Sequence, residues 1–410
     1  MKKILLYTAA GSFSFLLSAL SLTSCSQDES LETIESRGGE LSFRTTVGTA
    51  TRANIADLDM VKTDGFKVTA YLYGMDGETK KVKNTTYFED MAVTWNADAW
   101  SHAQRYWPGS NEYVETGVAA KGFDFVAYSP SATTGVSYDG NMMKVTDYTI
   151  PAAVANEKDL VVANAQNQTE AANGINGVSL DFKHVLSQVV VKASNASSFY
   201  HIDVEKVEIH NVHGKGTLTY DYAATSPVAW ATTDAAVSSN TYTSALTSAA
   251  TLGTTASALH ANDNFYMMLP QTSGVWNPET EAQTAAGAYF VVSCKIYSGE
   301  GTNKEYLFGI GSASGYGRVA IPVPANGTGT NEGKLVWENG KKYTYTLNFF
   351  KDGGGAGYQE PGSTVPSKSI TPGTVKFSAS VSVEAWGEGD ASAPEGNGAD
   401  PGTARAPKHQ

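Results

Sequence analysis

The chain is poor in cysteine, with Cys25 and Cys294 as the two in 410 residues. Cys25 ends an apolar N-terminal run. If processing at that point consumes Cys25, Cys294 has no partner left for an intrachain disulfide. Cys294 lies in the segment YFVVSCKIY and shares its alternating face with Phe290, Val292 and Ile296. This apolar face predicts that Cys294 is a buried, inert core thiol rather than a nucleophile.

Charged residues are also scarce, at 17%, and acidic residues outnumber basic ones by 41 to 29. The formal net charge is −12, and loss of residues 1–24, which contain two lysines and no acids, would make it −12 − 2 = −14. Such an acidic surface repels phosphate backbones, which argues against nucleic-acid binding. The abundant glycine, serine, threonine, alanine, valine and tyrosine are typical of sheets and turns.

Catalytic and metal-binding motifs are missing, since the sequence contains neither GxSxG nor HExxH. His210 and His213 are three residues apart, so on a strand they would point to opposite faces. No acidic or cysteine partner lies at the usual ligand spacing, and a solvated strand end is favoured over a zinc site. These absences predict that the protein is not an enzyme and carries no metal or cofactor.

The N-terminus carries an apolar run at residues 4–22, preceded by Lys2 and Lys3. Its length and flanks are those of a secretory signal peptide, residues 1–24, rather than of a transmembrane helix. The next residues, LTSC, resemble a bacterial lipobox. This resemblance predicts that Cys25 is lipidated, with palmitate among its acyl chains, and becomes the first mature residue. The alternative is an incidental thiol in a discarded peptide.

The lipid would fix the location of the protein, because several acyl chains together bind a membrane firmly. The tract SQDE that follows Cys25 is similar to the acidic tract that directs Bacteroidetes lipoproteins to the outer face of the outer membrane. We therefore expect a surface-exposed protein of the outer membrane.

Period-two alternation of apolar residues recurs along the chain, whereas amphipathic helical patterns are absent. The alternating segments are 41–47, 66–72, 123–127, 189–191, 207–209, 265–270, 289–297, 342–350 and 375–386. Turn residues separate them, which predicts an all-β protein built of β-sandwich domains. The Ala/Ser/Thr-rich residues 231–259 are expected to be rich in loops.

Small polar residues near 168–180 indicate a boundary between two domains. The predicted organisation is a linker with a first strand at 25–52, an N-terminal domain at 53–178 and a C-terminal domain at 179–388. Residues 389–410 consist mainly of Gly, Ala, Pro and Asp and are predicted to be a disordered tail.

Seven short segments, taken in order, resemble the fimbrillin-like families of Bacteroidetes, which include outer-membrane fimbrial subunits related to the major and minor fimbrillins of Porphyromonas. They span about residues 40–390. The segments are GFKVTAYLYG, RYWPGS, GFDFVAYSP, KDLVVANA, LDFKHVLSQVVVKA, FYMMLPQT and LVWENGKKYTYTLNF. The resemblance implies two transthyretin-like β-sandwich domains in tandem. It also implies structural roles for Phe182, His184, Leu186 and Ser187 at the start of the second domain.

The resemblance further implies a structural, adhesive subunit of a surface fimbrium, or pilus, that assembles by donor-strand exchange. An arginine-specific protease cuts after the first strand, and a strand from a neighbouring subunit, identical or paralogous, fills the groove left behind. Here the first strand is 41–47, and the bond between Arg52 and Ala53 is the predicted cleavage site. Arg37 and Arg44 are rivals, one before the strand and one inside it.

The candidate donor strand is the long alternating segment near the C-terminus. Burial of its four large apolar residues would contribute roughly 1.5–3 kcal/mol each, on the order of 6–12 kcal/mol together. The same segment could instead be the last strand of its own domain. These four residues are Val375, Phe377, Val381 and Val383.

A cleavable first strand favours a stalk or tip subunit over an anchor, and a host or bacterial surface ligand is a further expected partner. The alternative function is a surface glycan-binding lipoprotein associated with polysaccharide uptake, with exposed aromatic rings in a row. The seven tryptophans could form such a row, but most are expected to fill cores or strand ends.

Overall fold

The computed structural model describes residues 38–47, 58–140, 142–234, 240–278, 287–308, 315–351, 357–358, 367–369 and 377–386. Cys25, the Arg52–Ala53 bond, Val375 and the tail after residue 386 lie outside these ranges. The described α-helices are α1 (Leu58–Asp64) and α2 (Glu170–Asn173). No helix in this part of the chain has the length and apolar character needed to span a bilayer.

Strands make up most of the described chain. Those of the first half are β1 (Phe43–Val47), β2 (Phe66–Asp76), β3 (Thr79–Asn96), β4 (Ala99–His102), β5 (Tyr113–Glu115), β6 (Val118–Ser129), β7 (Val136–Asp139), β8 (Met142–Thr149), β9 (Val161–Gln168), β10 (Val178–His184), β11 (Ser187–Asn195), β12 (His201–His210) and β13 (Lys215–Asp221).

The second half continues the same pattern. Its strands are β14 (Val228–Thr232), β15 (Thr241–Thr251), β16 (Ser257–Ala258), β17 (Tyr266–Met268), β18 (Gln271–Gly274), β19 (Tyr289–Ser298), β20 (Glu305–Phe308), β21 (Gly317–Pro322), β22 (Lys334–Trp337), β23 (Lys341–Phe349), β24 (Gly357–Tyr358), β25 (Ser367–Ser369) and β26 (Phe377–Ala385). Single 3-10 turns lie at Val154–Asn156, Ala261–Asp263, Gly301–Asn303 and Gly329–Asn331.

The largest sheet has the strand order β1-β10-β9-β6-β2-β3-β4, with β5 paired to β6. One of its faces packs Phe66, Phe123 and Phe125 into an apolar core together with the N-terminal segment. Its other face packs Tyr71 and Tyr128 against a four-stranded sheet of order β14-β13-β8-β7. Both faces of the central strands are therefore covered, which explains why β2 and β6 are apolar almost throughout.

Two further sheets of the second half face each other across a second core. Their orders are β16-β11-β23-β26, with β17 paired to β11, and β15-β12-β19-β21-β24-β25, with β20 paired to β19. Residues Val189, Val207, Phe290 and Tyr345 belong to this core. Strands β18 and β22 form a separate pair. Along β23, alternate residues from Tyr343 to Phe349 are buried, as the two-residue period of a β-strand requires.

The all-β prediction is confirmed, because every alternating segment of the sequence overlaps a strand. The two-domain organisation and its boundary at 178/179 stay predictions. Strand β10 begins at Val178 and pairs within the first sheet, whereas β11 pairs within the second half. The four-stranded sheet combines β7 and β8 with β13 and β14, and therefore joins strands from both sides of that boundary.

The expectation of a loop-rich region at 231–259 is wrong. Strand β15 occupies 241–251 and pairs along β12 at one end of its sheet. Tyr242 and Ser244 face the core, while most of the other side chains are exposed or half-buried. A strand with one solvated face can be rich in threonine and serine, so it lacks the apolar alternation by which strands are recognised in a sequence.

Candidate functional site

The N-terminal segment 38–47 closes the first sheet by contacting both of its ends. Strand β1 runs parallel to β10 at one end, with Phe43 opposite Val178 and Val47 opposite Phe182. The residues before it pair with the chain that follows β4 at the other end. There the N–H of Leu41 donates to the carbonyl of Arg105 at 2.8 Å. The segment therefore occupies the opening between the two outermost strands.

The side chains of this segment alternate as the sequence predicts. Leu41 and Phe43 are 1% and 7% exposed, whereas Arg44 and Thr46 face solvent. Burial of Leu41 and Phe43 contributes about 3–6 kcal/mol together. The half-buried Val47 packs against the same core. The face predicted from the alternation is thus the face that fills the first core.

Aromatic rings surround Phe43 on three sides. Its ring lies edge-on to Phe66, His102 and Phe125, at centroid distances of 6.2, 5.2 and 5.5 Å. Edge-to-face pairs of this kind add to the energy of burial. Removal of β1 would expose this aromatic pocket together with the backbone edge of β10.

Polar contacts keep the segment in register. The indole Nε1 of Trp100 donates to the Thr45 hydroxyl at 3.2 Å, and the Thr46 hydroxyl donates to Asp181 at 3.1 Å. The N–H of Gly39 donates to the Glu170 carboxylate at 2.7 Å. These bonds are exposed or half-buried, so each contributes modestly beside the apolar contacts.

The C-terminal strand β26 is paired along its whole length with β23, from Phe377 opposite Phe349 to Ala385 opposite Lys341. In its own sheet it is the last of the described strands in the order. The candidate donor segment is therefore seated in its own chain in this structure. Val375 lies outside the described residues.

Burial falls steeply along β26. Phe377 is 2% exposed and its ring lies 4.8 Å from that of Phe349. Val381 is half-buried, and Val383 is 48% exposed. Since burial stabilises in proportion to apolar area, β26 gains little from the core after its first residue. It is a shallowly held strand.

The residue after β26, Trp386, is again buried, and its ring stacks on His184 at the end of β10. His184 Nδ1 donates to the Asp159 carboxylate at 2.6 Å. The structural role that the family resemblance implies for His184 thus corresponds to a contact between the first sheet and the last strand. Neither Asp159 nor Trp386 carries a sequence signal for this pairing, because the three residues are far apart in the chain.

The two histidines that raised the question of a zinc site bind different carboxylates. His210 contacts Glu208 at 3.0 Å, and His213 contacts Asp234 at 3.2 Å. Burial lowers the pKa of His210 despite the adjacent Glu208. No group of three or more His, Cys, Asp or Glu side chains placed to hold a metal occurs in the described ranges.

Glu208 sits in a buried cluster of charges that the sequence does not reveal. Burial by itself raises its pKa, but hydrogen bonds from His210, Arg318 and Lys206 outweigh that effect and hold the pKa well below its usual range. Because the partners lie on β12 and β21, the cluster ties together non-neighbouring strands of one sheet. Its arrangement is that of a structural ion-pair network.

A buried serine and histidine also lie together without the geometry of a catalytic pair. The N–H of Val191 donates to Nε2 of His260 at 2.8 Å, so Nδ1 carries the proton and faces the Ser244 hydroxyl at 3.1 Å. The histidine therefore cannot accept the serine proton. Burial lowers the pKa of His260 to about 3, which keeps it neutral. Burial likewise raises the pKa of Cys294, as expected of an inert core thiol.

The tryptophans do not form an exposed row. Trp107, Trp276, Trp337 and Trp386 are buried, and the other three, Trp95, Trp100 and Trp230, are half-buried. A glycan platform made of exposed tryptophan rings is therefore not formed by these side chains.

A sequence profile of the fimbrillin-like family matches residues 51–372. The chain belongs to the fimbrillin-like family. Members of this family are fimbrial structural proteins, so this fimbrillin-like protein is not an enzyme. The matched range excludes the first and the last of the described strands, β1 and β26.

One solved structure supports the fold of this fimbrillin-like protein, and a second is more distantly similar. A crystal structure of a fimbrial protein from Bacteroides vulgatus is similar at 17% identity with a TM-score of 0.54, covering 85% of this chain and 100% of that one. A candidate cell adhesion protein from Bacteroides uniformis is similar at 16% identity with a TM-score of 0.40, covering 85% of this chain and 99% of that one. No curated protein matches the chain.

Proposed function

We propose that this protein is a structural, adhesive subunit of a surface fimbrium, assembled by strand exchange after proteolytic removal of β1. The observation that carries the proposal is the position of segment 38–47. It fills an aromatic-lined opening, continues into the predicted cleavage site at Arg52 and Ala53, and belongs to the part of the chain that the cut would release. Its loss would leave an apolar slot and an unpaired backbone edge, which bind an added strand.

The C-terminal segment repeats the apolar pattern of β1 residue by residue. LSFRTTV at 41–47 and VKFSASV at 375–381 both place an aliphatic residue, a phenylalanine, a small residue and a valine at alternate positions. A donor in this register would put Phe377 where Phe43 lies and Val381 where Val47 lies. Val383 would extend the apolar face by one residue. The partner that fits the slot is therefore a second copy of this chain.

The candidate donor offers one more large apolar residue than the released segment, which favours exchange over re-binding of that segment. The donor offers four large apolar side chains, worth roughly 6–12 kcal/mol in all before ordering costs. In its own chain β26 buries Phe377 fully and leaves Val383 half-exposed. Val383 therefore has apolar area left to bury in a slot that accommodates it. A subunit with both a slot and a donor suits the stalk better than the tip.

The precursor would first be anchored to the membrane and then released from it. Lipidation of Cys25 would hold the precursor at the outer membrane, facing outward, until an arginine-specific protease cuts in residues 48–57, which join β1 to α1. A linker that follows an ordered strand is a favourable place for proteolysis. The assembled fimbrium would carry the chain outside the cell, where a host or bacterial surface ligand could bind it.

The experiment uses purified residues 26–410 with a trace of arginine-specific protease. We expect a new N-terminus at Ala53 by mass spectrometry and a ladder of oligomers on a gel run without boiling. The control is Arg52→Ala, which keeps Arg37 and Arg44 and should give neither product. A clean cut at Ala53 that gives no ladder, together with no binding of a peptide of residues 371–387 to the cut chain, would refute strand exchange.

A further inference from the structure

The end of β26 is held by a contact distinct from its pairing with β23. The indole of Trp386 lies parallel to the His184 imidazole, at a centroid distance of 4.1 Å and an interplanar angle of 8°. The N–H of Trp386 donates to the carbonyl of Gly340 at 2.9 Å. His184 is fixed from its other side by Asp159. We refer to His184, Asp159 and Trp386 as the C-terminal latch.

The latch shares a strand with the candidate acceptor site. Strand β10 pairs with β1 through residues 178–182 and with β9 through Lys183 and His184. Most of the ladder of β10 is therefore made with β1, and its remaining pairs are those at the latch. If β1 leaves, β10 keeps its attachment to the sheet at the residues next to Trp386.

Two buried polar atoms of the latch have no partner among the described residues. Within that part of the chain, Nε2 of His184 and Nε1 of Trp386 form no hydrogen bond, although both side chains are more than nine-tenths buried. Such atoms destabilise the closed arrangement, since water would satisfy them on opening. The ring stack and the Phe377 contact hold the two ends of β26, while the side chains between them are exposed or half-buried.

We propose that the latch keeps β26 in its own subunit and that its stability depends on β1 through β10. This inference rests on the proposed function, in which β26 is the donor strand. Loss of β1 removes the main ladder of β10, loosens the seat of His184 and so weakens the stack on Trp386. The donor is then freed when the slot opens, and an uncut subunit does not donate its strand.

The test measures hydrogen exchange by mass spectrometry on uncut residues 26–410. Trp386→Ala should accelerate exchange of the amides of β26 about tenfold, as loss of a ring stack implies. Val383→Ala is the matched control on the same strand, because its side chain is half-exposed, and it should change exchange by less than about twofold. Trp386→Phe keeps a ring and should fall between the two.

The coupling is tested by weakening β1 without removing it. Phe43→Ala should accelerate exchange in β26 of the wild-type chain but add nothing in the Trp386→Ala background, because the latch is then already open. Met91→Ala, a core truncation on β3, controls for a general loss of stability. An unchanged exchange rate in Trp386→Ala, or additive effects of the two substitutions, would overturn the proposal.

These outcomes are separate from those of strand exchange, because exchange is measured on the uncut chain and the ladder on the cut chain. Fast exchange in Trp386→Ala without a ladder after cleavage would support the latch and refute the proposed assembly. A normal ladder with slow exchange in Trp386→Ala would refute the latch and leave the assembly in place. If both the latch and the strand exchange are correct, cleaved Trp386→Ala should form the ladder at least as fast as the cleaved wild type.

Discussion

Replacing Phe43 with alanine should destabilise the uncut chain and leave the assembled polymer unchanged. Phe43 is 7% exposed and its ring contacts three aromatic rings, so truncation removes about 3–5 kcal/mol from the free energy of unfolding. We expect the lower end, about 3 kcal/mol, because β1 closes the rim of the sheet and water can enter the vacated space. In the proposed polymer, Phe43 would have left with the released segment.

The measurement is urea unfolding of the uncut chain, followed by tryptophan fluorescence. With a slope of about 3 kcal/mol per molar urea, a loss of about 3 kcal/mol lowers the first midpoint by about 1 M. The temperature at which the polymer ladder collapses should be the same for Phe43→Ala and wild type. Arg44→Ala, on the exposed side of the same strand, is the control and should stay within about 0.5 kcal/mol. A ladder that collapses earlier in Phe43→Ala would refute the reasoning.

Three further predictions follow from buried groups. His260 is neutral in the folded chain because burial lowers its pKa to about 3. The free energy of unfolding should therefore fall by about 1.4 kcal/mol per pH unit as the pH drops from 6.5 toward 3. In acid unfolding His260→Gln should flatten that dependence, and an unchanged slope would contradict the prediction. Burial raises the pKa of Glu157 well above 4.5, so the folded chain holds this proton more tightly than the unfolded chain. The free energy of unfolding should therefore decline as the pH rises above 4.5. Glu157→Gln should raise the urea midpoint most at high pH, and an equal shift at every pH would contradict the prediction. Cys294 should resist a thiol reagent in the native chain of residues 26–410, because it is buried, and should react fully in roughly 6 M guanidinium. Rapid labelling without denaturant would show that the thiol is accessible.

The alternation of apolar residues predicted nine of the 26 described strands, and in several of them it predicted which residues share a face. Leu41 and Phe43 were correctly assigned to one buried face, and Phe377 to another. Strand β15 escaped detection because its threonine and serine side chains line a half-solvated edge, where burial imposes little pattern. The alternation of apolar residues therefore indicates which side chains are buried, but it does not indicate which strands pair.

The two ends of the candidate site differ in how far they could be predicted. The apolar face of β1 and the similar face at 375–383 were visible as sequence patterns. The stack of Trp386 on His184 was not, because it joins residues that are about two hundred positions apart in the chain, and no local periodicity records which strands become neighbours. Trp107, Trp276, Trp337 and Trp386 are buried, as expected of most tryptophans, but the neighbours that each of them contacts were set by tertiary packing.

The amino-acid sequence by itself determined that this protein is built of strands, which side of the alternating strands is apolar, and that the GxSxG and HExxH motifs are missing. These properties follow from residue type and a period of two, which are local. The tertiary structure decided that β1 spans the opening between β10 and the chain after β4, and that β26 ends against β10. Such contacts depend on which distant segments lie side by side, since backbone hydrogen bonds between strands are the same for every sequence and only the packing of the whole chain selects among them.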